Sequence, residues 1–109
     1  MMKSGSRIPA PKVEPIVLEG IRYEQVRNGL LAGLDQMGGY LAAYDDASGH
    51  RLWFLKVYGN RRTGEKEGDA QDVFFRSMVA ESDGTLRIEN ERRELFLVDV
   101  NSRTVSRPD

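Results

Sequence analysis

From residue 16 onward, apolar and polar side chains alternate in short runs separated by turn-forming residues. Ile16, Leu18, Ile21, Tyr23 and Val26 are apolar, and Gly20 breaks the alternation. This predicts two short strands, or one strand with a bulge. Over residues 28–39 the pattern is weaker. Tyr23, Val26, Leu30 and Leu34 fall near helical spacing. Gly29 and Gly33 would each cost a helix interior about 1 kcal/mol, and Gly38-Gly39 would end it. A long irregular connection is expected here, with a short helix near 22–36 as the alternative.

The next segment is clearer. Tyr40-Leu41-Ala42-Ala43-Tyr44 and Leu52-Trp53-Phe54-Leu55-Lys56-Val57-Tyr58 flank Asp45-Asp46-Ala47-Ser48-Gly49-His50. Two β-prone runs around a short Asp/Ser/Gly turn predict a hairpin. Asp can accept backbone N–H groups two residues on, and Gly49 suits the positive-φ position of a bulged turn. Along the second strand Leu52, Phe54, Lys56 and Tyr58 share one face, and Trp53, Leu55 and Val57 share the other.

Residues 59–72 are charged and lack apolar anchors, so an exposed, mobile loop is expected there. Val73–Ala80 predicts another strand. Asp83-Gly84 turns it into Leu86–Glu89, a strong hairpin signal. Leu95–Val100 and Thr104-Val105 complete the series. The expectation is an all-β fold of about six to eight antiparallel strands in a small meander sheet, sandwich or open barrel. One domain spans residues 16–106, behind a Pro-containing tail over residues 1–15.

Composition narrows the chemistry. The chain has 109 residues, 16 Lys+Arg against 17 Asp+Glu, one His and no Cys. Disulfides, thiolate metal sites and a cysteine nucleophile are excluded. A net charge of -1 argues against nonspecific polyanion binding. No apolar run approaches the ~20 residues of a membrane span. A cytoplasmic location is expected.

The string from Gly39 to Trp53 resembles the blade hairpin of pyrroloquinoline-quinone-type β-propellers. Ala43, Asp45, Ser48, Gly49 and Trp53 match that repeat. Val98-Asp99 and Ser102 echo it 54 residues later, with Arg103 in place of the glycine. The resemblance implies a structural Trp packed between neighbouring blades and a turn shaped by Asp and Gly. A propeller of at least four blades of about 40 residues exceeds this chain. The resemblance therefore carries over to the hairpin, without the quinone cofactor or its chemistry.

Candidate sites are sparse. His50 lies beside Asp45, Asp46 and Ser48, but a solvated turn supplies neither a buried imidazole nor an oxyanion hole. Glu65, Glu67, Asp69 and Asp72 lack a calcium-loop spacing. A small carboxylate-dependent enzyme would use Asp69 or Asp72 as base beside an arginine. A single-strand nucleic-acid binder would use Tyr58 with Lys56, Arg61, Arg62 and Lys66, and Arg87 with Arg92 and Arg93, against opposing acidic neighbours. Neither signal assigns a catalytic, cofactor or metal residue.

Strands apolar on both sides point elsewhere. Trp53-Phe54 and Phe74-Phe75 each place large side chains on opposite faces, and one thin sheet cannot cover both. The favoured reading is a protein-interaction or ligand-binding module that forms a homo-oligomer or binds a protein partner. Trp53, Leu55, Val57, Phe74 and Leu97 are the expected contact face or inner cavity. Asp45, Ser48, Gly49, Asp83 and Gly84 are the expected turn-shaping residues.

Overall fold

The computed structural model describes residues 12–59 and 72–108. Most of the predicted tail, and residues 60–71 of the charged loop, lie outside them. The fold is all-β, with two four-stranded antiparallel meanders in chain order. The first holds β1 (Ile16–Leu18), β2 (Ile21–Gln25), β3 (Tyr40–Asp45) and β4 (Arg51–Lys56). The second holds β5 (Phe75–Ala80), β6 (Thr85–Asn90), β7 (Leu95–Asp99) and β8 (Thr104–Ser106).

No helix forms among the described residues. The alternative helix near 22–36 is replaced by β2 and a turn-rich connection. Gly29 N–H donates to Met37 O at 2.9 Å and closes that connection on itself. Gly33, at φ 89°, sits in the left-handed region that a right-handed helix excludes.

The two sheets repeat one another. β1–β2 turns through Glu19 (φ 51°) and Gly20 (φ 80°), and β5–β6 turns through Asp83 (φ 60°) and Gly84 (φ 76°). The turn glycine's carbonyl accepts Asp46 N–H at 2.9 Å in one sheet and Val100 N–H at 3.0 Å in the other. At the next hairpin Asp45 O accepts Gly49 N–H at 2.7 Å, and Asp99 O accepts Arg103 N–H at 2.7 Å. Gly49 (φ 80°) and Arg103 (φ 59°) are both left-handed. The registers agree, since Ile21 faces Asp45 as Thr85 faces Asp99. The offset is 64 residues for β2/β6 (85 − 21) and 54 for β3/β7 (99 − 45). The difference of 10 is the extra length of the 26–39 connection over the 91–94 turn, 14 residues against 4.

One core lies between the sheets. Tyr23, Leu41 and Ala43 of the first sheet cluster with Met78, Leu86, Ile88, Phe96 and Val98 of the second. Trp53, Leu55 and Val105 pack around them. The aromatic-on-both-faces problem is therefore half solved within the chain, because each sheet covers one face of the other.

Tyr58 departs from the sequence expectation. Regular alternation would put it on the face of Phe54 and Lys56. The strand ends at Lys56, the alternation lapses, and the Tyr58 ring turns into the core. It stacks on Phe96, with centroids 5.1 Å apart and planes at 23°.

Candidate interaction faces

Among the described residues one face of the first sheet is left uncovered, and its members follow from the two-residue period of the strands. Residues opposite in phase to Tyr23, Leu41, Ala43 and Trp53 are Arg22, Glu24, Tyr40, Ala42, Tyr44, Phe54 and Lys56. Val17 joins them at 50% exposure. Ala42 is buried even here, between its cross-strand neighbours Glu24 and Phe54. The half-buried aromatic rings are organised by cations. The Arg22 guanidinium lies 5.0 Å from the Tyr44 centroid, and that of Arg51 lies 4.5 Å from Phe54. Tyr40 meets Phe54 edge-on at 6.5 Å.

Carboxylates rim this face. Arg22 pairs with Glu24 at 2.6 Å and with Asp46 at 3.0 Å. Lys56 pairs with Asp35 at 2.9 Å, and the Tyr40 hydroxyl donates to the same carboxylate at 2.7 Å. The Lys56 hydrogen bond, then that of Tyr40, lowers the Asp35 pKa. Burial first, and the Asp35 hydrogen bond second, push the Tyr40 hydroxyl up to about 12.

The second sheet also leaves one face uncovered among the described residues. Ser77, Val79, Arg87, Glu89, Arg93 and Leu95 line a shallow depression of about 320 Å³. Leu97 is half-buried on the same face, directly across from Arg87. Val79 is 50% exposed.

A cleft of about 590 Å³ opens between the sheets at the Gly20 and Gly84 turns. Its lining includes Glu19, Tyr23, Glu81, Asp83 and Asn101. Glu81 is paired with Arg87 at 3.3 Å. Tyr23 is only 3% exposed. Burial, reinforced by the negative charge of Glu19, raises the pKa of its hydroxyl.

The residues singled out in the sequence separate into different places. Trp53, Leu55 and Val57 turn toward the layer between the sheets. There Trp53 lies 5.9 Å from Tyr23 and 5.8 Å from the Arg103 guanidinium. Leu97 faces the opposite way. Phe74 precedes β5, where its N–H donates to Glu91 Oε1 at 3.0 Å. Asp45 ends β3 and Ser48 sits in the β3–β4 turn, joined by a 2.9 Å hydrogen bond from the Ser48 hydroxyl. Asp83 and Gly84 form the β5–β6 turn.

Other candidates are exposed or lie outside the described residues. His50 is exposed, and its backbone N–H donates to Ser48 Oγ at 3.2 Å. Glu65, Glu67, Asp69, Arg61, Arg62 and Lys66 lie outside the described residues, and Asp72 is exposed. Tyr58, the aromatic of the expected basic face, is taken into the core. The uncovered aromatic group of Tyr40, Tyr44 and Phe54 was not singled out as a contact face. Its signal was the Tyr40/Tyr44 spacing on one strand, matched by Phe54 on the next. Leu30 and Leu31 were missed as exposed apolar residues, at 58% and 84% exposure.

Among the described residues no helix is long and apolar enough to cross a membrane. The sequence matches no protein-family model and no curated protein.

Proposed function

We propose that this chain is a small cytoplasmic β module that works by binding protein surfaces, foremost other copies of itself. The observation that carries this reading is the arginine-capped group of Tyr40, Tyr44 and Phe54 on the uncovered face of the first sheet. Aromatic residues and arginine are the types enriched at protein interfaces, where large rigid rings bury area at small entropic cost. The neighbouring ion pairs fit the polar rim of such a contact.

The same arginine–aromatic pairs would also suit stacked bases. Against that reading, Asp35, Asp46 and Glu24 already neutralise Lys56 and Arg22. The test is light scattering on purified protein over a wide concentration range. Association reads as a mass above one chain that falls on dilution. A single-chain mass at every concentration overturns self-association. A salt-sensitive gel shift with short oligonucleotides would move the assignment to nucleic acid.

A further inference from the structure

We propose that the two uncovered faces are the two halves of one head-to-tail interface, so that each is covered by a second copy of this chain. This rests on the self-association reading above and specifies its geometry.

The internal repeat carries the argument. When the sheets are superposed through their turns, Ala43 corresponds to Leu97 and Leu41 to Leu95. The first sheet uses the Leu41/Ala43 face to cover the second. The corresponding face of the second sheet, with Leu95 and Leu97, is uncovered. The converse also holds. Phe96 and Val98 correspond to Ala42 and Tyr44. The second sheet uses the Phe96/Val98 face against the first, and the Ala42/Tyr44 face of the first is uncovered.

The sheets are therefore packed front to back and not front to front. A front-to-front pair would consume both equivalent faces and leave two alike backs. A front-to-back pair leaves one unused front and one unused back, which is the combination the chain already packs internally. An interface of this heterologous kind continues from copy to copy until rotation closes a ring.

The residue sizes fit the same pairing. Inside the chain the front contributes the small Ala43 and the back the large Phe96. At the uncovered faces the sizes are exchanged, with Leu97 on the front and, on the back, Ala42 as the buried floor between Glu24 and Phe54. The aromatic ridge of Tyr44 and Phe54 also meets a face that carries a depression beside Val79 and Leu95. On each face an arginine is already paired with carboxylates, Arg22 with Glu24 and Asp46 and Arg87 with Glu81, which lowers the unpaired charge that the contact would bury.

Two variants separate this geometry from other modes of self-association. Phe54→Glu blocks the back of the first sheet, and nearby Arg51 can pair with the new carboxylate. Val79→Glu blocks the front of the second sheet, where Arg87 is the cross-strand neighbour. Wild type should form a discrete species of two or more copies. Each variant alone should run as a single chain, with self-association weakened at least tenfold. An equimolar mixture of the two should form a two-chain species, because one intact front meets one intact back.

If one variant keeps the wild-type mass, or the mixture stays monomeric, head-to-tail assembly is overturned while self-association by another face stands. If wild type is itself monomeric at high micromolar concentration, both readings fall. Circular dichroism and Trp53 fluorescence report whether each variant folds. Should Phe54→Glu unfold the chain, Val17→Glu on the exposed edge strand blocks the same face and takes its place.

Discussion

The Tyr58 hydroxyl donates a 2.6 Å hydrogen bond to the Val73 carbonyl, tying the end of the first sheet to the chain leading into the second. The ring stacks on Phe96 and lies 6.1 Å from Phe75. One side chain thus joins a polar tether to an aromatic contact across the sheet boundary.

Tyr58→Phe should keep the stack and lose only the tether. The Val73 carbonyl would lose this donor, at a cost of about 1–2 kcal/mol. In a domain of this size that lowers the melting temperature by roughly 4–15 °C. Tyr58→Ala should cost more, about 3–5 kcal/mol, because it also opens a cavity beside Phe96. Equal losses in urea melts of the two variants would show that the ring contributes nothing.

Alkaline pH should destabilise the fold. Burial raises the Tyr58 hydroxyl pKa far above its ordinary value, Tyr40 is held at about 12, and Tyr23 is raised as well. The unfolded chain releases these protons near pH ~10, while the folded chain retains them. The folded state then binds more protons, so its stability falls as pH rises. The contribution is fully present below pH ~10 and is lost as pH climbs through the folded values. Melts at stepped pH should show this decline, and Tyr58→Phe should make it shallower.

Gln25 is a buried polar residue with a defined task. Its Oε1 accepts the Phe75 N–H at 3.1 Å, holding the start of β5 against β2. Gln25→Leu would fill similar space but strand that buried donor. The expected loss is about 1–3 kcal/mol, the cost of one unsatisfied buried N–H. Faster amide exchange at Phe75 would localise the effect, and unchanged exchange would contradict it.

Two left-handed glycines should respond unequally to alanine. At Gly49 (φ 80°) an added Cβ meets nothing within 4 Å, so only backbone strain of about 1 kcal/mol is expected. At Gly39 (φ 88°) the added Cβ would sit 2.6 Å from the Tyr58 carbonyl oxygen. The clash adds to the strain, and the Tyr58 tether lies next to it. Gly39→Ala should therefore be the more damaging change, and denaturant midpoints of the pair check the order.

The legible parts of this protein are local. Asp45 to Gly49 and Asp83-Gly84 announce their turns because side-chain acceptors and left-handed backbone act over four or five residues. The runs beginning at Tyr40, Leu86 and Leu95 announce strands through their alternation. Even the echo between Asp45 and Asp99 is visible in the spacing of residues.

The site was less legible. Two-residue periodicity shows that Phe54 and Trp53 lie on opposite faces, but both read as apolar. Trp53 belongs to the covered layer, while Phe54, Tyr40 and Tyr44 stand on the uncovered one. Tyr58 was misread because a strand that ends at Lys56 no longer dictates where its successors point.

The sequence by itself determined an all-β chain, its turns and, within regular strands, the residues that share each face, since these depend on neighbours along the backbone. Only the tertiary structure decided that the strands divide into two sheets, and that the front of the first lies on the back of the second. Burial of apolar area has no direction of its own. Which faces meet is settled by residues far apart in the chain, through the packing of Leu41 and Ala43 with Phe96 and Val98.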